Sequence, residues 1–243
     1  MKLPIRRLTS LLLLLSACAK DDSAPMLMGP YRTESTIRAG VMLLYTANGV
    51  TSNSAAISRF LRHYPTVRSY FLRRDSTLTG YPLEMNFREN NRVTLASVVP
   101  PGTDDHMVEW EVTTRARKHY LLSELDSTVA YKSSTNYPYN QNPCGELPQK
   151  IREYQPAQRC FNVTYASGYE QVCRFRPLHL LTFRNEQPVL PLFSWLSVAS
   201  RNGQRCWMAY GSDWNTPSAS LRQNLSAGDT VLVQVNEVAL RKQ

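Results

Sequence analysis

The chain of 243 residues has only 10 glycines and 4 histidines, and only 19% of its residues are charged. So few glycines exclude collagen-like and Gly-rich repeat architectures. Wholesale disorder is excluded too, because 42% of the residues are hydrophobic and 10% aromatic. No stretch reaches the ~20 apolar residues that a helix needs to span a bilayer. The nucleophile elbow G-x-S-x-G, the P-loop, the dinucleotide-binding glycine pattern and HExxH are all missing. No two histidines stand at i,i+2 or i,i+4, and the cysteines lie too far apart for CxxC zinc or redox motifs. No cofactor, resident metal or catalytic set is therefore expected, and an enzyme ranks last among the readings.

What is present is sharpest at the start. Lys2, Arg6 and Arg7 precede the leucine run 11–15, and Ser16 and Ala17 lead to Cys18. A basic n-region, a short apolar h-region and small residues before a cut site describe a secretory signal. Leu15-Ser16-Ala17-Cys18 resembles the lipobox of bacterial lipoproteins. The resemblance implies removal of residues 1–17, fatty acylation (palmitate among the chains) of Cys18, and a place at the outer membrane, because Ala19 rather than aspartate follows the cysteine. The fold would then face the periplasm or the cell surface. Lys20-Asp21-Asp22 is similar to the short acidic tag of some surface-exported lipoproteins, and is equally readable as a solvated tether. Two or more acyl chains hold a protein stably on a membrane, where one does not. Loss of Lys2, Arg6 and Arg7 lowers the net charge from +9 to +6.

An exported chain meets an oxidising compartment. Besides Cys18 there are four cysteines, Cys144, Cys160, Cys173 and Cys206, an even set that reads as two disulfides. A hairpin over residues 161–175, turning near Ala166-Ser167-Gly168, groups Phe161, Val163 and Val172 on one face and puts Cys160 beside Cys173 on the other. That register favours Cys160–Cys173 and leaves Cys144–Cys206, although a shift of one residue would undo it.

The organisation follows from periodicity. Residues 18–32 read as a flexible tether, 33–130 as a β-rich lobe with one helix, 131–159 as a long loop, and 160–243 as a hairpin-rich lobe packing on the first. Residues 36–46 read as a strand around Val41, Leu43 and Tyr45. A helix is expected over about 53–64, where Ala56, Ile57, Phe60, Leu61 and Tyr64 fall at helical spacing before Pro65. Short strands are then expected at 69–72, 83–87, 93–99, 107–113 and 120–125, separated by turn-prone residues. Residues 137–143 form a polar, proline-bearing loop. Asn202-Gly203 is a strong hairpin signal, pairing Arg201 with Gln204, Ala199 with Cys206, Val198 with Trp207 and Trp195 with Tyr210. A last strand spans 230–240, with a slip before Val238. Such spacing of short strands marks an antiparallel barrel or sandwich, mainly β, with one early helix and a disulfide-stapled C-terminal part. The short-stranded design is similar to that of lipocalin-like lipoproteins over about residues 33–130, without the Gly-x-Trp start of that family.

The candidate functional residues are few. Trp195, Trp207, Tyr210 and Trp214 gather in or beside one hairpin, where exposed rings would stack on sugars or line an apolar cavity, and buried ones would be core. Asp104-Asp105-His106 is the best acid–base or metal cluster, with Glu109 and Glu111 near it, and reads first as a solvated turn. Arg115, Arg117 and Lys118 are the densest basic group, suited to anionic head groups or envelope polymers. Short Asp-Ser/Thr-apolar runs such as Asp75-Ser76-Thr77 resemble O-glycan acceptor sites of some envelope proteins, and also ordinary turns. The expectation is thus a lipid-anchored envelope protein with a non-enzymatic binding or interaction role. Its ligand would be a carbohydrate or a small hydrophobic molecule, and no nucleic acid is expected. The alternative is a structural or assembly lipoprotein that docks onto other envelope proteins.

Overall fold

A computed structural model describes residues 24–78, 82–97, 107–124, 127–133, 147–154, 158–165, 168–201 and 204–243. The chain opens with β1 (Gly29–Arg38), β2 (Met42–Thr46), β3 (Gly49–Thr51) and helix α1 (Ser54–Arg62). A 3-10 turn over Pro65–Tyr70 and the short β4 (Ser76–Thr77) lead into a meander of β5 (Leu83–Arg88), β6 (Arg92–Ser97), β7 (Val108–Arg115) and β8 (Lys118–Ser123). β9 (Ser127–Ser133), helix α2 (Leu147–Ile151), β10 (Gln158–Tyr165) and β11 (Gly168–Phe175) follow, then β12 (Leu178–Arg184), β13 (Gln187–Arg201), β14 (Gln204–Asp213) and β15 (Thr230–Lys242).

The protein is mainly β and is built on an eight-stranded antiparallel barrel. Its strands run β13-β12-β8-β7-β6-β5-β1-β15, and β15 pairs back onto β13 to close the ring. Alternation decides what the ring encloses. Met85, Val93, Leu121, Leu181, Leu190 and Leu240, each no more than 1% exposed, point inward into one continuous core. Glu84, Arg88, Glu109 and Glu111 point outward. Apolar inside and charged outside is the reverse of a membrane-spanning barrel. Among the described residues, no helix is long and apolar enough to cross a membrane.

β13 and β15 are longer than the barrel needs, and past its rim they exchange partners. β14 replaces β12 beside β13, and β2 with β3 replaces β1 beside β15, giving an open sheet in the order β14-β13-β15-β2-β3. One face of this sheet, with Leu44, Leu196, Val198 and Leu232, is covered by α1 and the 3-10 turn. The other, with Phe193, Trp195, Val231 and Val233, is covered by α2 and residues 221–225. A separate sheet in the order β10-β11-β9 prolongs β8 and β12 at the same end.

Several sequence expectations change. The strand expected over 36–46 is two strands, because the chain slips by one residue along the same edge of β15, between Arg38–Glu237 and Met42–Gln234; Val41 is left 69% exposed. A Cβ on residue 40 would lie 1.8 Å from the Val235 carbonyl oxygen, so only glycine allows this approach. Residues 69–72 are not a strand: Pro65 opens a 3-10 turn that buries Val67 and brings Phe71 into the same core. Residues 24–32 are not a free tether, since Ala24, Leu27 and Tyr31 are buried and β1 starts at Gly29. The two expected lobes share one ring, which takes β1 and β5–β8 from the first and β12, β13 and β15 from the second. The expected loop 131–159 begins inside β9 and contains α2, while 134–146 and 155–157 lie outside the described residues. β15 runs without a slip against β13.

The helix forms as expected: the Asn53 side chain accepts from the Ala56 N–H at 3.0 Å, and Ile57 and Leu61 are buried. Cys160 and Cys173 stand directly opposite each other in the β10–β11 ladder and form a disulfide. Cys206 is also disulfide-bonded. Cys144 lies outside the described residues, as do residues 1–23 with Cys18, the cluster Asp104, Asp105 and His106, and the turn Asn202-Gly203.

Candidate functional site

The β13–β14 hairpin has the expected register, with Ala199 opposite Cys206, Val198 opposite Trp207 and Trp195 opposite Tyr210. Directly opposed residues share a face, so this register splits the four aromatic candidates. Trp195 is 2% exposed and belongs to the core under α2. Tyr210, on the same face, is 49% exposed. Between them lies the Arg152 guanidinium, 5.8 Å from the Trp195 ring and 5.3 Å from that of Tyr210. Arg152 Nε also lies 2.5 Å from Asp213 Oδ2, an ion pair by distance without hydrogen-bond alignment. Burial pushes the Asp213 carboxyl up, and Arg152 offsets part of that push.

Trp207 faces the other way, 48% exposed, with its ring 5.8 Å from that of Tyr64 at the end of α1. Arg205 stands over the outer side of the Tyr64 ring at 5.9 Å. Trp214 is at the barrel rim, 4.1 Å from the His179 ring, whose other side stacks on Trp110 at 4.5 Å. Burial between two indoles lowers the His179 pKa to about 4, so the ring is neutral at physiological pH. The structure therefore brings Trp195 to Tyr210, Trp207 to Tyr64 and Trp214 to His179. The four candidates form no common platform.

Among the described residues, clefts open on the surface at both ends of the barrel. One, of about 400 Å³, lies where barrel and open sheet part, between Tyr70, Leu72, Tyr210, Ser212 and Asn236. Another, of about 570 Å³, lies at the opposite barrel mouth, where residues 24–28 cross it beside Phe87, Arg88, Arg92 and His119. His119 fixes that crossing. Its Nε2–H donates to the Pro25 carbonyl at 2.9 Å, so Nδ1 must accept from the Thr114 hydroxyl at 2.8 Å. Burial lowers the His119 pKa as well, keeping the ring in the neutral form this relay requires.

Glu109 and Glu111, which an enzyme reading would need beside the 104–106 cluster, pair with Arg88 at 3.6 Å and Arg176 at 3.5 Å on the outer wall, and that cluster lies outside the described residues. Among the described residues no group of three or more His, Cys, Asp or Glu side chains could hold a metal ion. Sequence reading missed Arg152, Tyr64 and the Trp110–His179–Trp214 stack. Each joins residues far apart in the chain, and none has a local signature. No protein-family model, curated protein or solved structure matches the chain.

Proposed function

We propose that the chain is a lipid-anchored protein of the cell envelope with a non-enzymatic interaction role. It docks onto another envelope protein rather than storing a small ligand. The observation that carries this reading is the filled barrel: the interior that would hold an apolar ligand is occupied by the side chains of Met85, Val93, Leu121, Leu181 and Leu240. Eight strands give a bore just wide enough for side chains or for one small ligand, and here side chains take it. Exposed apolar surface sits instead on β14, whose outer edge has no partner strand among the described residues, as Trp207, Met208 and Tyr210. The lipobox supports attachment to the outer membrane through acylated Cys18, with the fold facing the periplasm or the cell surface.

A photo-crosslinking residue at position 207 or 210 in intact cells is expected to trap a discrete protein. Crosslinks to polysaccharide alone would favour the carbohydrate alternative, which keeps the half-exposed Trp207 ring beside Tyr64 in its support. Cys18→Ala is expected to move the protein from the membrane fraction to the soluble fraction; retention in membranes would overturn the anchor.

A further inference from the structure

We infer that the barrel mouth crossed by residues 24–28 is the face that lies against the lipid head groups of the membrane, with the β14 end directed away from it. The inference rests on the acylation of Cys18 proposed above. Five residues lie between Cys18 and Ala24, which is buried against the barrel, so the lipid cannot be more than ~20 Å of extended chain from the mouth. All three tight barrel hairpins turn at this mouth: β5–β6 at 88–92, β7–β8 at 115–118 and β12–β13 at 184–187. The open sheet, α1 and the β9–β11 sheet all leave from the other end. β13 alone carries 15 residues from the mouth to its far tip, about 50 Å of strand, more than twice the reach of the link. The far end therefore cannot be the one held to the bilayer.

The chemistry of the mouth suits that neighbour. Arg88, Arg92, Arg115, Arg117, Lys118 and Arg184 border the three turns, against Glu89 and Glu186 in the same turns. Five of the cations also pair with carboxylates: Arg88 with Glu109, Arg92 with Glu124, Arg117 with Glu186, Lys118 with Glu153 and Arg184 with Glu237. These pairs are partly exposed, so they orient the cations while leaving them open to phosphate. Met26 projects from the same face, 85% exposed.

Methionine oxidation reads the orientation directly, because Met26 lies at the mouth while Met107 and Met208, 63% and 38% exposed, lie at the far end. The full acylated protein is floated on vesicles of phosphatidylcholine, with or without anionic phosphatidylglycerol. It is then treated with hydrogen peroxide and compared with the Cys18→Ala chain free in buffer. Met26 sulfoxide formation is expected to slow by at least about threefold on vesicles, more so on anionic ones, with Met107 and Met208 unchanged. Arg115→Gln with Arg117→Gln is expected to remove the extra protection on anionic vesicles only. Flotation with Met26 as reactive as in the free chain, or with Met107 and Met208 slowed instead, overturns the orientation and leaves the anchor standing. Failure to float with intact acyl chains overturns the anchor, and the orientation with it.

Discussion

At the scale of single residues, the barrel depends on polar side chains that hook passing backbone. Gln234 is fully buried, yet every polar atom of its amide is used. Its Oε1 accepts from the Leu72 N–H at 2.7 Å, and its Nε2 donates to the carbonyls of Leu72 at 2.7 Å and Gly40 at 2.8 Å. Asn236 accepts from the Gly40 N–H at 3.1 Å. Gln234→Leu keeps the bulk and removes the partner of three partly buried backbone groups, each worth about 1 kcal/mol, so a loss of about 3 kcal/mol is expected in urea unfolding. Gly40→Ala is expected to cost about 2 kcal/mol or more by forcing the chain away from the Val235 carbonyl of β15. His179 supplies a pH dependence whose sign follows from its depressed pKa of about 4. Above the unfolded value of ~6.5 both states are neutral, and the full stability is present. As pH falls from there toward 4, only the unfolded chain gains the proton. Roughly 3 kcal/mol is lost through that window. His119 pulls the same way, while the raised Asp213 carboxyl acts oppositely, favouring the fold as it protonates. His179→Phe keeps a ring between Trp110 and Trp214 and is expected to flatten the dependence of the urea midpoint between pH 4 and 6.5.

At the scale of elements, local chemistry is readable where one short signal fixes geometry. Asn53 caps α1, and the hairpin registers at Cys160–Cys173 and Trp195–Tyr210 follow from alternation about a turn. The hairpins at the barrel mouth are less legible. β7–β8 turns through Ala116 and Arg117 at φ of 48° and 57°, and β12–β13 through Asn185 and Glu186 at 49° and 66°. Such left-handed turns usually announce themselves with glycine, and here three of the four residues carry no such signal. The density of charge at 115–118 reads as a surface patch and hides a turn. Pairing across the ring is illegible for another reason, because β8 meets β12 only after 54 intervening residues. The β9–β11 sheet has only three strands and pairs with none of the barrel strands, so its disulfide, spanning 13 residues, is expected to hold it. Replacing Cys160 and Cys173 by serine should speed amide exchange in β9–β11 by orders of magnitude while the barrel amides keep their protection. Equal loss of protection in both sheets would show that the staple supports the whole fold.

At the scale of the whole molecule, the ring ties early and late sequence into one unit. β1 is flanked by β5 and β15, β8 by β7 and β12, and the closing pair β13–β15 is the most extensive ladder, from Val189–Ala239 to Val198–Thr230. A segment ending near residue 130 would thus lack three of eight staves, and one beginning near 160 would lack five, each exposing strand edges and an open core. Unfolding should accordingly be a single event. Trp110 reports on the barrel wall and Trp195 on the open sheet, so chains that keep only Trp110 or only Trp195, the other tryptophans replaced by phenylalanine, allow the two regions to be followed separately by fluorescence, with far-UV circular dichroism as a third probe. Coincident urea midpoints across the three probes are expected, because β13 and β15 run through both regions and cannot leave one without leaving the other. Midpoints that separate, with the open sheet melting first, would show that the two long strands fray at the barrel rim and that the β14 surface is held independently of the barrel.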